Sequence, residues 1–329
     1  MSIILMCVVA FAIIFEFING FHDTANAIAT TVYTRALSVG KAILLAALMN
    51  FVGALISENV AKTITDGLVS VTLEEYVVLA ALCGAIIWNL FTWMRSIPSS
   101  SSHALIGSLI GATIVYNLGI QGVKWDGIVF KVLIPLVTSP LLGFLVSFLL
   151  MRMIYKAFAR VQRSHVNRGF RRMQILSAAL VAFSHGTNDA QKTMGIITLA
   201  LITGGILPIG ADVPVWVKLL CAATIAMGTT MGGWKIMKTM GGGVTKLEPA
   251  GGFVAQTSSA LVIEGMSLLG APISTTQVIT SAVMGVGSAR RLKSVKWHIA
   301  GDIAITWLVT LPISAILGGA SVYLIQLFI

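Results

Sequence analysis

The chain has 329 residues, of which 57% are hydrophobic and only 10% charged, and its mean hydropathy is +0.92. A soluble domain of this length needs far more charge to cover its surface. Apolar runs long enough to cross a bilayer recur from end to end, which predicts an all-α polytopic membrane protein. Three isolated cysteines in apolar segments suit neither a disulfide framework nor a metal site.

The net charge is +10, but the distribution of the basic residues argues against nucleic acid as a partner. Of 22 Lys and Arg residues, 17 fall in five clusters between alternate apolar segments, which is the positive-inside signature. The clusters are Arg35 with Lys41; Arg95; the seven from Arg152 to Arg172; Lys235, Lys238 and Lys246; and Arg290, Arg291, Lys293 and Lys296. This pattern predicts a cytoplasmic (inner) membrane protein with its N-terminus outside and residues 152–172 in the cytoplasm.

Ten hydrophobic segments follow one another along the chain. We predict membrane segments at residues 3–33, 39–56, 76–93, 103–116, 129–150, 173–206, 215–231, 252–269, 276–288 and 299–327. The first and sixth contain a polar stretch, and we expect both to be broken there. The fourth and ninth have only about 10 to 14 apolar residues, too few at about 1.5 Å per residue to cross about 30 Å of hydrocarbon. These two are expected to be re-entrant half-helices.

Two pairs of motifs relate the first five segments to the last five. Residues 20–26 (GFHDTAN) match residues 186–192 (GTNDAQK), and residues 98–103 (PSSSSH) match residues 272–277 (PISTTQ). The loop charges give the two halves opposite orientations, and an inverted repeat of this kind is typical of secondary transporters. The predicted divisions are a first inverted repeat at 1–151, a basic cytoplasmic linker at 152–172 and a second inverted repeat at 173–329.

Each matched polar stretch contains an aspartate, and an ionisable side chain inside a membrane is by default a functional candidate. Carboxylates, Asn side chains and freed carbonyls form a hard oxygen site that suits Na⁺ or a transferred proton. The predicted coupling-ion residues are Asp23, Asn26, Asn188, Asp189 and Lys192, with Asp23, Asn26 and Asp189 as ligands if the ion is Na⁺. Gly20 and Gly186 are expected to let the backbone bend, and Glu16 either supports Asp23 or lines the cavity.

The Ser/Thr runs stand at the N-terminal ends of the two short segments. Free N–H groups and the positive end of the helix dipole attract an anion there, and hydroxyls add donors that fit an oxyanion. Because the two segments are entered from opposite faces, their ends converge on one central anion. The predicted anion-binding residues are Ser100, Ser101, Ser102, Ser274, Thr275 and Thr276. Ordinary N-capping accounts for one such run, but four consecutive serines exceed what capping needs.

These motifs resemble those of the inorganic phosphate transporter (PiT) family, in its bacterial low-affinity form. The resemblance rests on residues 19–27 and 185–192, on both Ser/Thr motifs, and on residues 232–235 (GGWK) with the Gly-rich run and Gly252-Phe253 after them. It implies a symporter, not an enzyme, that moves phosphate with H⁺ or Na⁺. It also implies an ion site at the Asp/Asn motifs and a phosphate site at the Ser/Thr motifs. No cofactor is expected beyond a bound Na⁺, and a homodimer stays open.

The chain departs from the family's pattern in ways that bear on coupling. His22 stands where the family often has Asn, and Gln277 where a His often follows the Ser-Thr-Thr run. Asn26 in the first half corresponds to Lys192 in the second, which replaces a carbonyl oxygen by a donor with its own positive charge. Our hypothesis is that Lys192 replaces the ion of one cation site, which favours H⁺ or fewer Na⁺. The plainer alternative is that Lys192 extends to a membrane interface.

Two other functions stay open. A permease for sulfate or another oxyanion needs the same donors, although a protonated phosphate can donate a hydrogen bond to Asp23 or Asp189 and sulfate cannot. An intramembrane hydrolase is suggested by His103 beside Ser102 and by His185 near Asp189. That enzyme needs one unique nucleophile, whereas the hydroxyls here occur in matched pairs and without a G-x-S-x-G elbow. The favoured partners are phosphate, H⁺ or Na⁺, and the lipid bilayer.

Overall fold

The computed structural model describes residues 2–69, 73–231 and 244–328, and of residues 24–26 it describes only the backbone. Within these ranges the chain is almost entirely helical, and extended pairing is limited to one isolated bridge between Val69 and Val123. Each of the ten predicted segments contains a helix. The prediction of an all-α polytopic protein is therefore confirmed.

The first half begins with a long helix and contains one sharp bend. Its helices are α1 (Ile3–Tyr33), α2 (Val39–Ala54), α3 (Asn59–Lys62), α4 (Glu75–Met94), α5 (Ser101–Tyr116), α6 (Trp125–Ile128) and α7 (Ile134–Ala157). A π-helical turn, Thr63–Gly67, follows α3, and another, Val129–Leu133, joins α6 to α7. The axis turns by 62° between α2 and the unit formed by α3 and its π-turn. The first arm of this broken helix lies in the predicted second segment, and the second arm begins after that segment's predicted end at residue 56.

The described part of the second half is also helical. Its helices are α8 (Arg163–Thr203), α9 (Val215–Thr230), α10 (Pro249–Leu268), α11 (Thr275–Arg290) and α12 (Trp297–Gln326), with a 3₁₀ turn at Leu292–Ser294. The predicted linker at 152–172 is mostly helical, because α7 continues to Ala157 and α8 already begins at Arg163. The division into two repeats and a linker stays a prediction.

The helices differ in how they relate to a membrane. Four described helices are long and apolar enough to cross it, and the bent pair counts as a fifth span. By contrast α5 and α11 have 16 residues each, which is about 24 Å at about 1.5 Å per residue. Both are buried along most of their length and begin in the protein interior. They are the short internal helices that the sequence predicts.

The expected breaks at the two Asp motifs are wrong. Both α1 and α8 continue without interruption through Asp23 and Asp189. The glycines there serve close packing instead of bending. A Cβ on Gly20 would lie 2.6 Å from the Ile225 carbonyl oxygen in α9, and a Cβ on Gly186 would lie 2.3 Å from the Asn50 carbonyl oxygen in α2. The polar side chains find their partners on neighbouring helices, so no backbone carbonyl has to leave its helix.

The helices pack in matched pairs across the two halves. Helix α1 contacts α9, and α8 contacts α2 in the same way. Likewise α5 packs against α12, and α11 packs against α7, so each short helix contacts the last helix of the other half. This pattern is the one expected of the two predicted repeats, and the N-terminal ends of α5 and α11 meet at the centre.

Candidate functional site

The N-terminal ends of α5 and α11 meet inside the protein. Ser100 Oγ accepts a hydrogen bond from the His103 amide at 3.1 Å, and Ser274 Oγ accepts one from the Gln277 amide at 3.2 Å. Each serine is therefore an N-cap, the role in which a short hydroxyl side chain satisfies a first-turn amide. The side chains of His103 and Gln277 lie 3.4 Å apart, from Nδ1 to Nε2, so two positive helix ends share one small volume.

Asp23 connects α1 to both short helices. Its Oδ2 accepts a hydrogen bond from Ser101 Oγ at 2.8 Å, and its Oδ1 accepts one from Thr276 Oγ1 at 3.0 Å. His22 Nδ1 lies 2.7 Å from the same Oδ1. The carboxylate is buried, and hydroxyls from each half of the chain hold it in place.

Asp189 occupies the matching position in α8. Its Oδ2 accepts a hydrogen bond from Thr275 Oγ1 at 3.0 Å, which mirrors the contact of Asp23 with Ser101. His185 Nε2 lies 3.0 Å from Oδ2, and the Lys192 ammonium donates to Oδ1. Asp189 therefore has a built-in cation that Asp23 lacks among the described side chains.

Lys192 lies at the centre of this cluster with 1% of its surface exposed. Its Nζ donates to Asp189 Oδ1, to Ser102 Oγ and to the carbonyl oxygen of Ile273, the last at 2.9 Å. Thr276 bonds directly to Asp23, whereas its counterpart Ser102 reaches Asp189 only through the ammonium. Extension of Lys192 to a membrane interface is therefore wrong.

The structure merges the two predicted sites into one cluster. All six predicted anion-binding hydroxyl residues lie there with Asp23, Asp189 and Lys192, although their role stays a prediction. Asn188 contacts Ser267 Oγ at 2.8 Å and the Ala271 carbonyl at 3.2 Å, so it holds the segment before α11. The Asn26 side chain and the residue 232–235 motif lie outside the described part of the chain.

One group of side chains has the geometry of a cation site. Ligand atoms of Asp23, His185 and Asp189 all lie within 4.8 Å of one another, and all three residues are buried. His185 is oriented by Asn50, whose Oδ1 lies 3.0 Å from His185 Nδ1. Two carboxylates and one ammonium leave the cluster one positive charge short when the histidines are neutral.

Glu16 is the functional candidate to which the sequence assigned no definite role. It is fully buried in α1, and its Oε2 accepts a hydrogen bond from Thr193 Oγ1 in α8. Its Oε1 has no hydrogen-bond partner among the described residues. The matching residue of α8 is Ala182, so this carboxyl group belongs to one half alone. The signal in the sequence is an acidic residue seven positions before Asp23 in an otherwise apolar run.

The cluster is closed to bulk water. Every predicted site residue with a described side chain is at most 2% exposed. A group that enters or leaves this centre therefore needs helices to move apart. The arrangement suits a centre that opens to one side at a time.

Comparisons with known proteins agree on one family. A model of the phosphate transporter family matches residues 19–318. A probable low-affinity inorganic phosphate transporter of Bacillus subtilis (strain 168) is 47% identical over 328 residues, 99% of this chain and 98% of that protein. One of the same description from Rhizobium meliloti (strain 1021) is 44% identical, over 95% and 94% of the two chains. A solved structure, "The sodium-dependent phosphate transporter", covers 100% of both chains with a TM-score of 0.89 and 29% identity.

Proposed function

The chain belongs to the phosphate transporter family, and on that premise we propose that it is a symporter that carries inorganic phosphate across the cytoplasmic membrane together with protons. One observation carries the proposal. The N-terminal ends of α5 and α11 meet two buried carboxylates, and one of these already holds a lysine. The family is one of transporters, and the matched hydroxyls offer no unique nucleophile for an enzyme.

The short helices supply the donors for phosphate. First-turn amides have no partner within their own helix, and the hydroxyls of Ser101, Ser102, Thr275 and Thr276 add further donors beside them. Three of these hydroxyls donate to Asp23 or Asp189 in the closed structure. We propose that they turn toward the phosphate oxygens, while a protonated phosphate donates to the carboxylates. Sulfate lacks that proton, so the same site discriminates against it.

Lys192 bears on the coupling ion. Its ammonium contacts three oxygen atoms, from a carboxylate, a hydroxyl and a carbonyl, which are also the ligand types that a hard cation takes. We propose that it replaces the Na⁺ of one of two related sites. Asp189 then keeps its charge partner throughout the cycle and needs no coupling ion.

Glu16 is our candidate for the group that takes up the coupling proton. A buried carboxylate with one unpartnered oxygen is costly when charged, and protonation removes that cost. Since Glu16 stands on the helix that carries Asp23, proton uptake and the phosphate site share one rigid element.

A Na⁺ symporter is the second candidate, and two observations favour it. The cluster of Asp23, His185 and Asp189 has the spacing of a cation site. The solved structure of similar fold is described as sodium-dependent. In this alternative Na⁺ lies between Asp23 and Asp189 with Asn26 as a further ligand, while the Lys192 ammonium takes the place of a second ion.

Reconstituted vesicles separate these candidates. Purified protein is placed in liposomes, the membrane potential is clamped, and labelled phosphate uptake is measured under a pH gradient or a Na⁺ gradient imposed separately. We expect accumulation with acid outside, none with the Na⁺ gradient alone, and little competition from sulfate. Accumulation under neither gradient would contradict transport, and accumulation with Na⁺ alone would establish the second candidate.

A pair of substitutions tests the site against the hydrolase alternative. Ser101→Ala and Thr275→Ala remove matched hydroxyls from the two halves, and we expect both to weaken phosphate uptake. Thr113→Ala is the control, because that hydroxyl donates only to the Leu109 carbonyl of its own helix among the described residues. An effect confined to one half would favour a unique nucleophile over a transport site.

A further inference from the structure

A groove lies between the C-terminal ends of α7 and α11, at the basic face of the molecule and away from the phosphate site. It encloses about 900 Å³. Its walls are formed by Leu149, Arg152, Met153, Tyr155, Lys156, Ala289, Arg290 and Arg291. We infer that this groove binds the headgroup of an anionic phospholipid from the surrounding membrane.

The charges of the groove are mostly unbalanced. None of the described residues that line it is acidic. Arg290 Nη1 lies 3.8 Å from Glu248 Oε1, but the same oxygen lies 3.2 Å from Arg163, so two arginines share one carboxylate. Within the described chain, Arg152, Lys156 and Arg291 form no ion pair within 4 Å. A phosphodiester would supply the missing negative charge, and guanidinium groups bind it in bidentate geometry.

An apolar stripe on α7 leads directly into the groove and identifies a lipid as the occupant. Leu141, Leu145, Leu149 and Met153 are spaced by four residues and are 62%, 50%, 51% and 64% exposed. Side chains at this spacing share one helix face. Helix α7 belongs to a 33-residue apolar helix, Trp125–Ala157, that is long enough to cross a membrane. An acyl chain fits along the stripe, whereas a soluble phosphate ion has no use for it.

Positive-inside topology explains why basic residues lie at this end of the molecule, but not why four of them line one groove. The N-terminal part of α8 offers a comparison on the same face. Arg168 and Arg171 are exposed there and do not line the groove. If charge alone attracted lipid, both groups would bind it equally. The geometry therefore assigns a specific site to the groove, where basic residues converge on lipid-facing apolar surface.

The groove is coupled to the phosphate site through α11. This helix begins at Thr275 and Thr276 in the central cluster and ends at Arg290 beside the groove. It packs tightly on α7, since a Cβ on Gly285 would lie 2.3 Å from the Phe144 carbonyl oxygen. A headgroup that bridges Arg152 and Arg291 would hold the C-terminal ends of α7 and α11 together. The other end of α11 carries Thr275 and Thr276, so the packing of α11 on α7 also positions these two hydroxyls.

Lipid retention by the purified full-length chain tests the inference without any transport assay. Native mass spectrometry is performed after incubation with phosphatidylglycerol or with phosphatidylcholine of the same acyl chains. We expect the wild type to retain phosphatidylglycerol preferentially. In the double variant Arg152→Gln/Arg291→Gln retention should fall about thirtyfold, the effect of two removed charges near an anionic headgroup. The double variant Arg168→Gln/Arg171→Gln is the matched control and should retain lipid as the wild type does.

Three outcomes would overturn the inference. Equal loss in both double variants would mean general charge attraction. Displacement of the lipid by millimolar inorganic phosphate would assign the groove to the soluble ion. Unchanged retention in Arg152→Gln/Arg291→Gln would remove the groove from lipid binding altogether. The double variant Arg152→Lys/Arg291→Lys keeps both charges and loses only the bidentate contacts, so it should retain more lipid than Arg152→Gln/Arg291→Gln; equal loss in the two would mean a disturbed fold.

Discussion

Asp23 and Asp189 occupy matched positions in the two halves, yet they are held differently. Asp23 is bound by hydroxyls of both short helices and by its neighbour His22. Asp189 is bound by one such hydroxyl, by His185 and by the ammonium of Lys192. The carboxylate of Asp189 therefore has a cation partner within the chain, whereas no Lys or Arg among the described residues pairs with Asp23. On the proposed function, the difference between Lys192 and Asn26 makes Asp189 a structural half-site and leaves Asp23 to pair with a group that arrives during transport.

The largest effect on stability and uptake is expected when Asp189, the carboxylate that pairs with Lys192, is removed. Asp189→Asn leaves the Lys192 ammonium buried without its carboxylate, and breaking a buried pair costs about 3–5 kcal/mol. We expect a lower thermal unfolding midpoint in detergent and no uptake. Asp23→Asn is the comparison, since it removes no ammonium partner and should abolish uptake with a much smaller loss of stability. Equal destabilisation by the two variants would mean that the two sites are not different.

Lys192→Asn should come next, because it restores the residue type of Asn26 to the second half. An asparagine oxygen in place of the ammonium recreates a cation site beside Asp189, so we expect phosphate uptake to gain a response to an imposed Na⁺ gradient. Lys192→Met fills similar space without an oxygen and should show no such response. If Lys192→Asn responds to Na⁺ no more than the wild type does, the hypothesis that the Lys192 ammonium takes the place of a bound cation is contradicted.

A smaller effect is expected at Glu16, the carboxyl group without a counterpart in the second half. Glu16→Gln keeps the shape and the Thr193 contact but cannot exchange a proton. We expect the ratio of inside to outside phosphate that a pH gradient sustains to fall about tenfold, which corresponds to roughly 1.4 kcal/mol. Phosphate exchange without a gradient should continue. Asp302→Asn removes an exposed carboxyl group of α12 and serves as the control. Equal pH profiles for Glu16→Gln and the wild type would exclude Glu16 as the proton carrier.

The smallest effect concerns Gln191, whose matching residue is Ala25. Its Oε1 accepts hydrogen bonds from the amides of Val60 at 2.8 Å and Ala61 at 3.2 Å, which joins α8 to the bend after α2. Gln191→Ala leaves these amides unsatisfied, at a cost of about 1–3 kcal/mol. We expect a lower unfolding midpoint and unchanged ion dependence. Gln162→Ala, at an exposed position before α8, should leave both properties unchanged.

The sequence predicted which residues come together, and the reason is the duplication. A polar motif occurs twice, at matched positions in two apolar halves. Its side chains can find hydrogen-bond partners in the apolar interior only if the two copies lie next to each other. The short lengths of α5 and α11 then identify their starts as internal. The contacts of Ser101 with Asp23 and of Thr275 with Asp189 follow that pattern.

Helix continuity at the Asp motifs was not predictable from the sequence alone. A glycine beside polar residues in an apolar run is compatible with a break in the helix and equally with close packing of an unbroken helix against its neighbour. The choice depends on whether a neighbouring backbone lies against it, as α9 does at Gly20. The partner of Glu16 could not be predicted for a similar reason. Thr193 is 177 positions away in the sequence, and its uncharged side chain does not mark it as the partner of a carboxyl group. Such contacts depend on packing between helices that are distant in sequence.

The cross-packing of the last helices has a consequence for biosynthesis. Helix α5, which carries three of the site serines at its start, contacts α12, which is synthesised about 180 residues after it. The fit is close, since a Cβ on Gly107 would lie 2.5 Å from the Leu311 carbonyl oxygen. Until α12 is inserted, α5 therefore lacks one of its two principal neighbours. The start of α5, and with it the central cluster, therefore gains its full packing only after α12 has been added, so we expect a chain that lacks α12 to hold these serines less firmly.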